Sequence, residues 1–163
     1  MAELSGSNPA APVEAPRGFV SARVDEKGRL KLPASIVQYV EAFGERKVFI
    51  TTLNGSTARI YPISVWRETE RLLEEPGDDT EAKEDIAFIA DHFGADDEMD
   101  GQGRVLVPTE LRRHLKLENE QVYLRCFKQR IDVIGREAYE QRLGRAMEGV
   151  NEKLGTLERK GLR

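Results

Sequence analysis

The chain has a single cysteine, Cys126, so no disulfide can close within it. Cys126 lies in Val122-Tyr123-Leu124-Arg125-Cys126-Phe127, which reads as a strand. A buried structural thiol is expected there, with a reactive thiol as the alternative. There are two histidines, His92 and His114. Neither has a second histidine or a cysteine at ligand spacing, so no metal site is expected. No apolar stretch approaches the roughly 20 residues that span a bilayer. The start of the chain lacks a basic segment followed by an apolar one, so no secretory signal is readable and a cytoplasmic location without a membrane partner is expected. Gly28 and Gly103 are single glycines in turns, not a phosphate-binding loop. No nucleophile–base pair or Ser–His–Asp order is visible. Catalytic residues, a cofactor and a small-molecule ligand are accordingly not expected, and the chain does not read as an enzyme.

What the chain has is charge and a repeat. Of its 163 residues, 33% are charged and 39% hydrophobic, as in a soluble globular protein of one ordinary domain or two small ones. The net charge of −4 argues against nonspecific nucleic-acid binding, which needs a basic surface. A small basic patch on an acidic body remains compatible with it. The residues Val24-Asp25-Glu26-Lys27-Gly28-Arg29-Leu30-Lys31-Leu32-Pro33 return as Met99-Asp100-Gly101-Gln102-Gly103-Arg104-Val105-Leu106-Val107-Pro108. Asp, Gly, Arg and Pro are identical, and the apolar positions are kept. The chain is therefore an internal duplication.

The same element order fits both copies. Val20–Val24 alternates as a half-buried strand. Asp25–Gly28 is a turn, with Asp bonding the backbone ahead and Gly supplying a positive φ. Arg29–Leu32 is a second strand with Arg29 and Lys31 on one face. Pro33 opens a helix carrying Ile36, Val37 and Val40. Val48–Leu53 and Thr57–Tyr61 flank Asn54-Gly55 as a hairpin. Pro62 opens a helix with Ile63, Trp66 and Leu73. In the second copy Thr109–Leu115, Gln121–Phe127, Arg130–Ile134 and the helix from Glu137 follow in turn, with Tyr139 where the first copy has Trp66. Between the copies, residues 76–93 form a loop and a helix from Thr80, with Asp78 and Glu81 as a capping box and Ile86, Ile89 and Phe93 as its apolar stripe. Residues 1–16, proline-rich and almost uncharged, are expected to be a disordered extension. Tyr139, Leu143, Met147, Val150, Leu154 and Leu157 form one apolar seam on a long C-terminal helix. It packs on its own domain or on another subunit, and the basic tail after it is expected to be solvated.

The basic residues are unevenly shared. Arg17, Arg23, Lys27, Arg29 and Lys31 cluster in the first copy, with only Asp25 and Glu26 opposing them. A two-stranded ribbon with such an outer face can sit on phosphates or in a major groove. It can equally be solvated, with Arg29 paired to Asp25. The second copy keeps Arg104 but has Gln102 for Lys27 and Leu106 for Lys31, which suggests that this face is partly covered. Arg112 and Arg113 nearby read as a solvated helix face.

The two motifs, with Arg17-Gly18, Ile60-Tyr61-Pro62 followed by Trp66, Phe93-Gly94-Ala95 and Pro108-x-x-Leu111-Arg112, resemble the MraZ family of bacterial transcriptional regulators. The resemblance covers roughly residues 17–143. It implies an α+β fold: two tandem AbrB/SpoVT-like swapped-hairpin units, interleaved into an intrachain pseudo-dimeric β-barrel with flanking helices. The units would be residues 17–75 and 94–145, with residues 146–163 as a helical extension and tail. It also implies a ring-like homo-oligomer that binds repeated boxes of double-stranded DNA in the promoter of the division and cell-wall gene cluster, its own gene included, in the nucleoid. The surface implied is Arg17, Lys27 and Arg29, with Arg104 equivalent in the second half. Arg23 and Lys31 join that surface from their positions on the strands. The chain departs from the family pattern in the residues preceding Arg17 and in a second hairpin without the tryptophan often found near its end. A protein-interaction scaffold or an antitoxin-like role is the alternative, and the basic ribbon discriminates against it.

Overall fold

The computed structural model describes residues 13–163. The disorder expected for residues 1–16 thus falls, for residues 1–12, outside the described residues. Residues 13–16 enter without helix or strand. The first half runs β1 (Val20–Val24), β2 (Arg29–Lys31), α1 (Ala34–Glu41), β3 (Lys47–Thr52), β4 (Ala58–Pro62) and α2 (Ile63–Glu74). After α3 (Thr80–Phe93), the second half repeats the order: β5 (Ala95–Glu98), β6 (Arg104–Leu106), α4 (Thr109–Leu115), β7 (Glu120–Phe127), β8 (Arg130–Gly135) and α5 (Arg136–Met147). A last helix, α6 (Val150–Glu158), completes the elements of the described residues.

All eight strands form one antiparallel sheet in the order β5-β3-β4-β8-β7-β1-β2-β6. The halves exchange strands. β1 pairs with β7 of the second half, from Val20 opposite Leu124 to Val24 opposite Glu120. Reciprocally, β5 pairs with β3 of the first half, from Ile50 opposite Ala95 to Lys47 opposite Glu98. Two further pairings straddle a pseudo-twofold axis. Leu30 faces Val105 between β2 and β6, and Arg59 faces Asp132 between β4 and β8. The outermost strands, β5 and β6, are sequence neighbours across a short turn. The Leu106 N–H donates to Asp97 Oδ2 at 2.7 Å over this gap. The sheet is thus a nearly closed barrel, the interleaved fold expected from the duplicated motif.

Alternation along the strands sends one face of each inward. Val24, Leu30, Ile60 and Ile50 from the first half and Val105, Val122, Leu124 and Ile131 from the second meet in one core, each 1% exposed or less. Burying each such side chain contributes about 1.5–3 kcal/mol. Aromatic pairs seat the helices that come after each hairpin. Phe49 stacks on Trp66 at 4.5 Å and, equivalently, Tyr123 stacks on Tyr139 at 4.0 Å. Tyr139 does occupy the place of Trp66.

Four local expectations are corrected. The C-terminal helix is not continuous: Gly149, at φ +61° in the left-handed region, separates α5 from α6. The seam does not pack on its own domain past Tyr139, since Leu143, Met147, Leu154 and Leu157 are all exposed. The start of α3 has no capping box. Asp79 occupies the cap at φ +63° without a side-chain cap bond, and Thr80 Oγ1 instead bonds the Gly77 carbonyl at 2.9 Å. Arg112 is buried rather than solvated, donating from Nη1 to the Val107 carbonyl at 2.7 Å. Cys126 is half-buried. Burial, and secondarily the Asp132 carboxylate, push its thiol up to about 11, which keeps it protonated at neutral pH.

Because the halves share one core, thermal unfolding is expected as a single transition. Leu30→Ala should lower stability by about 2–5 kcal/mol while keeping one transition. Two resolved transitions in calorimetry would contradict the shared core.

Candidate nucleic-acid interface

The two repeated motifs build two equivalent turns. Asp25 Oδ1 accepts the backbone N–H groups of Lys27 at 2.9 Å and Arg29 at 2.8 Å. Asp100 Oδ1 accepts those of Gln102 and Arg104, both at 2.9 Å. Gly28 and Gly103 close the turns at φ +87° and +77°, where a side chain is disfavoured. Packing adds a second reason. A Cβ on Gly28 would run into the Arg112 guanidinium, and one on Gly103 would come within 2.7 Å of Val37 Cγ2. Each turn is thus clamped by a helix of the opposite half. The Leu32 N–H donates to the Gly103 carbonyl and the Val107 N–H to the Gly28 carbonyl, both at 2.9 Å.

These bonds also fix the arginines. Arg29 Nε donates to Asp25 Oδ2 at 3.3 Å, and Arg104 Nε to Asp100 Oδ2 at 2.7 Å. The pairing of Arg29 with Asp25, one of the two readings of the sequence, is present. It does not consume the arginine. The terminal guanidinium nitrogens of Arg29 and Arg104 have no hydrogen-bond partner among the described residues, and both side chains are partly exposed. The carboxylate therefore orients a guanidinium whose outer edge is open for bidentate bonding.

The barrel brings the two copies together on one surface. Leu30 and Val105 point inward at the axis, so their neighbours point out. Arg29 lies opposite Leu106 and Lys31 opposite Arg104. Arg29, Lys31 and Arg104, from both halves, share this outward face, with Lys27 exposed on the adjoining turn. Leu106 is exposed too, so none of the described residues covers this face.

Two candidates lie off the β2–β6 strands. Arg23 is exposed on β1, where its Nη2 donates to the Asn119 carbonyl at 2.9 Å and to Asn119 Oδ1 at 3.2 Å. Arg17 precedes β1 at the end away from the turn and pairs with Glu14 at 2.8 Å. The five residues of β1 put about 16 Å of strand between it and the ribbon. Sequence reasoning missed the braces. Arg46 bonds the Met99 carbonyl at 3.2 Å and the Asp100 carbonyl, and so pins the second turn from the first half. Arg112 packs beneath Gly28 from the second half, with its hydrogen bonds going to the Val107 carbonyl and Glu118. Its signal was present, because it occupies the repeat position of the apolar Val37.

The turn bonds depress both carboxyls. Asp100 is held at about 2, first by the Arg104 backbone N–H and then by its guanidinium. Asp25 is lowered too, first by the Arg29 backbone N–H. His114 bonds the Gly55 carbonyl at 3.0 Å. No group of three or more His, Cys, Asp or Glu side chains that could hold a metal is found among the described residues. No described helix is long and apolar enough to cross a membrane.

Strand exchange between two repeats, closed around a paired motif, defines a duplicated swapped-hairpin barrel protein. Comparison with known proteins agrees. The family model described as "MraZ protein, putative antitoxin-like" matches residues 95–155. "Transcriptional regulator MraZ" of Acidobacterium capsulatum is 35% identical over 127 residues, 78% of this chain and 86% of that protein. The proteins of that name from Koribacter versatilis and Hydrogenovibrio crunogenus are 34% and 36% identical, over 64% and 66% of this chain and 71% and 72% of theirs. The chain belongs to the MraZ family.

The depressed carboxyl predicts an acid limb. The Asp100 contribution is complete above the unfolded carboxyl's ordinary value of about 3.9 and is lost as pH falls through about 2. Asp100→Asn should flatten the pH dependence of stability over that window in acid titrations followed by circular dichroism. An unchanged slope would show that Asp100 is not held by its turn.

Proposed function

We propose that this protein is a sequence-specific, DNA-binding transcriptional regulator, acting in the cytoplasm on the nucleoid rather than as an enzyme. Its expected targets are repeated boxes upstream of the division and cell-wall gene cluster, including its own promoter. The observation that carries this reading is the outward β2–β6 face, where Arg29 and Arg104 present open guanidinium edges beside Lys31. A guanidinium edge matches the two acceptors of guanine and also a phosphate. Lys27 and Lys31 suit phosphates, which fix register without reading sequence. Arg23, beside the first turn, extends the basic surface. Arg17 belongs to it only if DNA, or a neighbouring subunit, reaches the far end of β1.

The net charge of −4 opposes DNA over most of the surface. A ring-like homo-oligomer resolves this, because each subunit contributes one small ribbon and adjacent subunits engage successive boxes. Linked weak contacts then exceed a single site's affinity by orders of magnitude. The family model's antitoxin-like wording and the exposed C-terminal seam favour a second reading, a protein-capturing scaffold. That reading gives no role to the ribbon.

Arg29→Ala and Arg104→Ala should each remove about 1–3 kcal/mol per engaged ribbon. Multivalency compounds the loss, so gel-shift binding to DNA from upstream of its own gene should disappear while the oligomer stays intact. Lys31→Ala should instead reduce the slope of log affinity against log salt by about 0.9 for each phosphate that Lys31 neutralises. Undiminished binding by folded Arg29→Ala and Arg104→Ala proteins would remove the ribbon from the interface.

A further inference from the structure

The pseudo-twofold relates two flanks of the barrel that carry opposite charge. On the first-half flank, α3 covers the Phe49–Trp66 pair, and Ala90 of α3 is fully buried against it. Residues 74–100, which include α3, carry 12 Asp and Glu, with Lys83 their single lysine or arginine. Phe88 is 76% exposed on this helix. It lies two residues from Ala90, about 200° around the axis, so it faces away from its own barrel. Glu84, Asp85 and Asp91 stand at i−4, i−3 and i+3, so the exposed ring is edged by three carboxylates.

The equivalent flank of the second half has no helix over it among the described residues. Tyr139, stacked on Tyr123, instead lines a cleft of about 760 Å³ between β8, α5 and the β3–β4 loop. Its described lining includes Arg59, Arg125, Arg130, Arg142 and Arg145, against the one carboxylate of Asp132. Asp132 already takes Arg125 at 3.4 Å and Arg130 at 2.9 Å. Arg125 Nε is buried without a hydrogen-bond partner among the described residues. Phe19, edge-on to Tyr139 at 5.0 Å, and the exposed Leu143 add apolar surface. The cleft therefore offers an aromatic seat ringed by surplus guanidinium groups.

We infer that the cleft receives α3 of a second copy of this chain, with Phe88 against the Tyr139 and Leu143 surface and Glu84, Asp85 and Asp91 on the arginines. The inference rests on the ring reading above and names the surfaces that join. Contact between two different patches is head-to-tail, and such a contact gives a ring where the rotation between copies closes and an open filament where it does not. The intrachain duplication thereby supplies the acidic patch on one half and the basic patch on the other.

Charge exchange tests this in DNA-free buffer, with the mass read by light scattering after size exclusion. Two doubly substituted full-length chains are compared with the parent: Glu84→Arg with Asp85→Arg, and Arg142→Glu with Arg145→Glu. All four residues lie at the surface, and unchanged thermal melts check the fold. The parent should be oligomeric. Each variant alone should fall to the 18.4 kDa monomer. Equimolar mixing should restore the parental mass, because every junction again joins opposite charges. A monomeric parent at tens of micromolar would remove the ring reading and this inference with it. An oligomeric parent whose variants keep its mass would overturn the inference and leave the ring standing. A cleft variant that keeps its mass but loses DNA would make the cleft a nucleic-acid surface and overturn it as well.

Discussion

The structure depends on an exchange of backbone hydrogen bonds. β1 finds the main length of its pairing on β7, and β5 finds its pairing on β3, so each half completes the other's sheet. Unpaired backbone groups inside a core cost as much as lost hydrogen bonds. A half standing alone would leave a strand without its partner and an open edge on its hairpin. Closing the exchange aligns β2 with β6 antiparallel at the pseudo-axis. The outward ribbon is a consequence of that alignment. Two arginines far apart in sequence become neighbours on one face because the strands that carry them must pair.

Much of this was legible in the residues. Alternation, the Asn54-Gly55 turn and the helix-opening prolines located the elements of both copies within a few residues. The Asp-x-x-Gly-Arg spacing foretold the turn bonds, since Asp two and four residues before an amide can accept both. The exchange itself was not written in local pattern. Periodicity says which face of a strand is buried but not which strand lies beside it, and only the family resemblance implied it. The break at Gly149 was missed because an apolar seam is continuous in sequence, whereas a left-handed glycine ends a helix even where the apolar spacing continues beyond it. Arg112 was misread because charge was taken as exposure. Its guanidinium is buried under Gly28, with the Val107 carbonyl as partner and Glu118 at 3.4 Å.

Symmetry and its violation carry different duties. Residues kept in both copies serve geometry: the aspartates hold the turn amides, the glycines admit the opposite helix, and the prolines precede the short helices. The arginines of the motif are tied into the same network through Nε, yet keep their outer edges open. Residues that differ between copies set surface chemistry. Lys31 against Leu106 makes the ribbon lopsided in charge. Acidic α3 on one flank and the arginine cleft on the other make the whole subunit polar. A duplicated scaffold thus carries a basic ribbon and two flanks of unlike charge on one shared core.

The central claim is that the β2–β6 ribbon, made jointly by both halves, contacts DNA. Amide hydrogen exchange of the intact protein, with and without a promoter fragment from upstream of its own gene, tests it most directly. Protection is expected in residues 25–31 and 100–106 together, with no matching change in residues 80–93. Protection confined to the α5 cleft, or to only one of the two turns, would contradict a shared ribbon.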